Sequence, residues 1–113
     1  MTKDPLVFVK HILQAISKIE SYIKEYDLDS FRQDDKTKDA VVRELEIIGE
    51  AANNIPPEFI KSHSEVNWRG PIGLRNKLIH EYFGIDVKRV WRITQKDLEP
   101  LKSELSELIL GKQ

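Results

Sequence analysis

"DPLVFVKHILQAISKIESYIKEY", residues 4–26, is the stretch whose reading decides the fold class. Val9, Ile12, Ile16, Ile19 and Ile23 recur at alternating steps of three and four, which stacks them on one face of an α-helix. Asp4 is placed to cap that helix. Pro5 suits its first position, because proline lacks the N–H that would be left unpaired there. The segment is therefore expected to be an amphipathic helix from about Pro5 to Tyr26.

Working outward, the acidic stretch "DLDSFRQDDKTKD" (27–39) interrupts the pattern. A second helix then places Val41, Leu45, Ile48, Ala52 and Ile55 on one stripe, and Pro56 and Pro57 stop it. "EFIKSHSE" (58–65) suits a short helical turn, and "NWRGPIG" (67–73) leads into "LRNKLIHEYFG" (74–84), which Gly84 is placed to end as a C-cap. Asp86 is expected to cap a last helix with the stripe Val87, Val90, Trp91, Thr94, Leu98, Leu101, Leu105 and Leu108, and with Gly111 past its end. Pro100 should bend that helix or mark a restart, since an interior proline removes a hydrogen bond and crowds the preceding turn. No strand pattern, repeat or linker is visible. The expectation is a single domain, 1–113, folded as an all-α, up-and-down bundle of four or five helices.

Composition narrows the function. The 113 residues suffice for one hydrophobic core, and 40% apolar with 33% charged residues suits a soluble helical domain. A net charge of -1 gives no global attraction to nucleic acid, so an RNA or DNA partner needs a local basic patch. Lys61, Arg69, Arg75, Lys77, Lys88, Arg89 and Arg92 cluster in the C-terminal half and are candidates to track phosphates, although such a surface also serves solubility alone. The absence of cysteine excludes disulfides, thiolate metal sites and cysteine nucleophiles, and fits a reducing cytoplasm. Lys10, His11 and Gln14 interrupt the N-terminal apolar run, unlike a signal peptide, and no run has the length of a membrane span. His11 and His63 lack metal-ligand spacing with His80, so no metal or cofactor is expected.

Within residues 74–84 the wheel raises a question. Ile72, Ile79 and Phe83 form one apolar row, Leu74 and Leu78 another, and Arg75 and Tyr82 fall between them. An unpaired guanidinium there is costly. Asn76 and His80 are four apart and share a face, whereas Arg75 and His80 diverge by about 140° on an ideal helix. They converge only if the arginine swings round, the last turn distorts, or a second subunit supplies the missing half. The last option is favoured, because polar groups at a bundle face are most readily satisfied where two such faces meet. Chemically, an arginine and a histidine suit metal-free phosphoryl transfer: the guanidinium forks onto phosphate oxygens and the imidazole moves a proton near neutral pH. Asn76 could fix the imidazole or the phosphate. A helix with a buried Arg–Glu bridge and a surface histidine fits the spacing as well.

Elsewhere, Arg43, Glu46 and Glu50 line one stripe of the second helix and Glu44 sits within its apolar arc. This suits a solvated face with an Arg43–Glu46 pair, or a Glu50 that reaches the motif and orients Arg75 or His80. Trp68 and Trp91 are expected to anchor core or interface rather than stack bases, and His11 and His63 to be surface or satisfied polar residues.

Arg75, Asn76 and His80 resemble the HEPN superfamily signature, an arginine and a polar residue followed by histidine four to six residues beyond the arginine. With Tyr82 the pattern resembles the HepT-like toxins, and "LEIIGEAANNIP" (45–56) and "NWRGPIGLRNKLIHEYFGIDVKRVW" (67–91) are similar to that family too. The resemblance implies a HEPN-like homodimer acting as a metal-independent endoribonuclease toxin of a type VII-like toxin–antitoxin system. Its partner would be a nucleotidyltransferase antitoxin of the MntA type. Arg75 and His80 would be the catalytic pair, Asn76 a supporting residue, and Tyr82 the hydroxyl that receives AMP. The alternative from a different class is a non-catalytic helical module that dimerises and binds a nucleotidyltransferase or a nucleotide through Arg75 and Tyr82.

Overall fold

In a computed structural model the described residues are 4–79 and 86–111, with the backbone alone for 75–79. Helix α1 spans Pro5–Tyr22, with the Asp4 carboxylate accepting from the Leu6 N–H at 3.0 Å. It stops one turn short of the expected end. Tyr26 leaves the helix axis and its hydroxyl donates to Asp34, which also accepts from the Thr37 hydroxyl at 2.8 Å and the Thr37 N–H at 3.1 Å. The phenol and the two Thr37 donors hold the Asp34 carboxyl at about 2, against an ordinary 3.8.

The acidic stretch holds a helix that polarity alone hides. In α2, Leu28–Gln33, Asp27 and Ser30 form a reciprocal capping box, and Phe31 is fully buried, tilted against Trp91 at 5.1 Å between ring centroids. Helix α3 then starts at once, Asp35–Asn53, capped by the same Asp34. It packs against α1 and against the later helix Arg69–Ile79. Ile12, Ile16, Ile19, Val41, Leu45 and Ile48 are all fully buried, each stabilising by roughly 1.5–3 kcal/mol relative to exposure. Glu44 lies within this arc as expected, only 7% exposed. The expected Arg43–Glu46 pair is not among the ion pairs of the described residues, which include Lys38–Asp35 and Lys102–Glu20. Pro57 opens a short α4, Pro57–Ser62.

Helix α5 spans Arg69–Ile79 and so begins within "NWRGPIG". Pro71 falls in its first turn, where a missing N–H leaves no intrahelical bond unmade. The expected C-cap Gly84 lies outside the described residues. Asp86 caps α6, Val87–Arg92, by accepting from the Arg89 N–H at 3.1 Å. A π-helical turn, Ile93–Asp97, follows, and α7 runs Leu98–Gly111. This corrects the expected stripe. The buried series is Val90, Ile93, Leu98, Leu101, Leu105 and Leu108, with a step of five where the π turn lies; Thr94 is only half-buried and its hydroxyl donates to the Trp91 carbonyl at 2.7 Å. Pro100 sits just past that turn, so the distortion that proline imposes is absorbed by a wider turn rather than by a break. The architecture is an all-α helical bundle.

Candidate active site on helix α5

Arg75 and Asn76 lie in the second half of α5, immediately after Leu74, which is buried at 5% exposure. Their side chains, and all of His80 and Tyr82, lie outside the described residues. What the structure does show is how the helix carrying the motif is held.

Three contacts fix α5 ahead of Arg75. The Asn53 amide, near the end of α3, donates to its own-helix Gly49 carbonyl at 2.8 Å and across to the Ile72 carbonyl at 3.2 Å. Gly49 is itself buried. At the start of α5, Glu104 of α7 accepts from the Asn67 N–H at 3.1 Å. Between these, Trp68 is 5% exposed and its indole N–H donates to the His63 carbonyl at 2.9 Å. Trp68 thus anchors the core as expected, and Trp91 does so through Phe31. His63 is satisfied: it stacks on Phe59 at 4.2 Å and its Nδ1 lies 3.0 Å from the Phe59 carbonyl.

Glu50 is exposed and lines a groove between α1 and α3 with Phe8, His11 and Asn54. Within "GEAAN", Asn53 hydrogen-bonds to α5, and sequence reasoning passed it over. Glu104 and Asn67 were passed over too. An asparagine four residues beyond a buried helix glycine was the available signal for Asn53; Glu104 had none, since its partner is a backbone N–H 37 residues away. Lys61, Arg69, Lys88, Arg89 and Arg92 of the expected basic cluster are exposed, and Lys96 joins them.

The all-helical architecture and the packing of α5 on α3 are consistent with a HEPN-like helical bundle. The family model for HepT-like ribonucleases matches residues 12–108, and the chain belongs to that family. It is 43% identical over 101 residues to a probable ribonuclease HepT of Thermococcus cleftensis, covering 89% of this chain and 92% of that protein. A putative RNase of Caldanaerobacter subterraneus is 38% identical over 107 residues, 95% of this chain and 96% of its own. A putative RNase of Methanocaldococcus jannaschii is 39% identical over 107 residues, 95% of this chain and 88% of its own. No solved structure matches the chain significantly. Among the described residues, no helix is long and apolar enough to cross a membrane.

Proposed function

We propose that this chain is a metal-independent endoribonuclease toxin acting in the cytoplasm as a homodimer. The observation that carries the reading is the family match, which spans Arg75, Asn76, His80 and Tyr82 within residues 12–108. In the proposed reaction the RNA 2′-oxygen attacks the adjacent phosphorus while His80 takes its proton. The P–O5′ bond breaks, the 5′-oxygen leaves as a hydroxyl after gaining a proton, and a 2′,3′-cyclic phosphate remains. Arg75 stabilises the charge that grows on the non-bridging oxygens, and Asn76 supports the imidazole or the phosphate. The anchoring of α5 by Asn53 supports this reading, because a donor aimed at a transition state contributes only if its backbone is held in place.

Control would come from a nucleotidyltransferase antitoxin of the MntA type that attaches AMP to Tyr82. The added phosphate would occupy Arg75 and repel the RNA backbone. The test is cleavage of transfer and messenger RNA in excess EDTA by protein whose Tyr82 is shown unmodified, beside His80→Ala prepared identically. Cleavage with 2′,3′-cyclic phosphate ends that is lost in the variant is the expected result. Equal background from both proteins would sink the ribonuclease reading.

A further inference from the structure

Charge is unevenly distributed along the chain. Residues 66–96 carry seven of its 18 lysines and arginines but only Glu81 and Asp86 of its 19 acids, a net of +5 in a chain whose total is -1. From Val87 to Lys96 there is no acid at all, and Asp86 and Asp97 stand at the two ends of that segment. The segment forms α6 and most of the π turn, and burial sorts its residues: Val90 and Ile93 are buried, whereas Lys88, Arg89, Arg92, Gln95 and Lys96 are exposed. Among the described residues Lys88, Arg92 and Lys96 take part in no ion pair, unlike Lys38 and Lys102. Arg89 stands beside them but is already engaged within the chain.

Lys88, Arg92 and Lys96 follow one another at steps of four, and the π turn makes that spacing a row. On an α-helix each step of four runs about 40° past a full revolution, so two steps would carry Lys96 about 80° away from Lys88. In the π turn the hydrogen bonds span five residues rather than four, so each residue rotates the chain through a smaller angle, and the step from Arg92 to Lys96 ends close to one full revolution. Most of the drift is thereby removed. The same widening keeps Ile93 and Leu98 both in the core, at 5% and 3% exposure, which leaves the cations on the solvent side of the helix. Along the axis they are separated by roughly 5–6 Å.

A single line of cations at that step matches one kind of partner. The phosphates of a nucleic-acid strand carry one charge each at a regular interval of the same order, whereas the carboxylates of a folded acidic protein have no fixed interval. We propose that the row formed by Lys88, Arg92 and Lys96 tracks the backbone of a single RNA strand, holding it by its phosphates without reading its sequence. The row also adjoins the helix that carries the proposed motif: Pro71 and Leu74 of α5 and Ile93 and Lys96 of the π turn line one cavity of about 300 Å³. That the strand is RNA rests on the ribonuclease reading; the capacity to bind a chain of phosphates does not.

The test titrates the full chain with a short single-stranded 2′-O-methyl RNA, which lacks the nucleophile and stays intact, and reads fluorescence anisotropy between about 50 and 200 mM KCl. The triple variant Lys88→Gln/Arg92→Gln/Lys96→Gln should bind at least about tenfold more weakly and lower the slope of log affinity against log salt by about 2, since each phosphate contact on a single strand contributes about 0.7. The loss should be the same for uridine and adenosine oligomers. A second triple, Lys18→Gln/Lys24→Gln/Lys36→Gln, removes equal charge from other exposed sites and should change affinity by less than about twofold. All the substituted residues are exposed, so both variants should keep the denaturant midpoint of the wild type. No binding by the wild type, equal weakening by the two triples, or none by the first overturns the row. Polyglutamate that competes as well as RNA of equal charge would assign the row to acidic proteins and overturn it too. Binding lost in the first triple, with no RNA cleavage by the wild type in EDTA, supports the row and counts against the ribonuclease reading. Cleavage of unmodified RNA with KM unchanged in that triple does the reverse.

Discussion

Between α1 and α3 the helices meet through Ile12, Ile16, Ile19, Val41, Leu45 and Ile48, all fully buried, with Ala15, Ala51 and Ala52 in the same core. Around α5 the buried Trp68 and Leu74 join the same core, and single hydrogen bonds are added to that packing, from the Asn53 amide to Ile72, from Trp68 to His63 and from Asn67 to Glu104. An apolar interface is non-directional and tolerates small shifts, whereas a hydrogen bond fixes one atom against another within a few tenths of an ångström. The first region supplies most of the stability, and the second sets where the motif helix sits. The two should therefore respond to mutation in different observables.

The sharpest break of that division comes from Phe31→Ala. Phe31 is fully buried against Trp91, so its truncation should cost ~3–5 kcal/mol, read from the denaturant midpoint. RNA cleavage by the fraction that remains folded should be unchanged. Arg75→Ala should do the converse. The rate at saturating RNA is expected to fall by ~10²–10³-fold, as for loss of one transition-state donor, with the denaturant midpoint nearly that of the wild type. If Arg75→Ala instead destabilises strongly while retaining turnover, Arg75 belongs with the core and the division fails.

Asn53→Ala probes the boundary. Loss of both amide hydrogen bonds, to Gly49 and to Ile72, should lower stability by about 1–2 kcal/mol, yet kcat should drop about tenfold with KM little changed, and Asn53→Gln should restore little because its longer amide misplaces the donor. A fall in stability without a change in kcat would make Asn53 merely structural.

The smallest effect is expected at the corner formed by Tyr26, Asp34 and Thr37. The Asp34 carboxyl is held at about 2 in the folded chain and has an ordinary value of 3.8. Since the folded value is depressed, the contribution to stability is complete above the ordinary value and is lost as pH falls through about 2. Tyr26→Phe removes the leading cause of that depression. The variant should therefore be less stable than the wild type at pH 7 and 5, with the gap closing between about pH 4 and pH 2 in urea melts. A gap that persists unchanged at pH 2 would show that Tyr26 acts through packing.

The same contrast explains what was legible beforehand. Apolar spacing marks α1 and α3 because their buried faces repeat at the helical period, and it places Glu44 in the buried arc for the same reason. Helix α2 was missed because a six-residue helix with Phe31 as its buried residue has no period to read; only Asp27 and Ser30, as a capping pair, announced it. Ile93 lost its place to Thr94 because a period of 3.6 has no room for a π turn. Arg75 and Asn76 were found as residue types at a spacing, and the structure puts both on α5. Asn53 and Glu104 were not, since each bonds a backbone atom, 19 and 37 residues distant, and backbone atoms leave no letter in the sequence.

Along the buried stripe from Val90 to Leu108 the π turn amounts to one surplus residue: the steps are three, five, three, four and three. Deleting Gln95, which is exposed, would turn the five into a four and return the whole stripe to an ordinary heptad register. The last helix thus carries one residue more than its buried stripe needs, and that residue sets the wall on which Lys96 and Asp97 stand exposed.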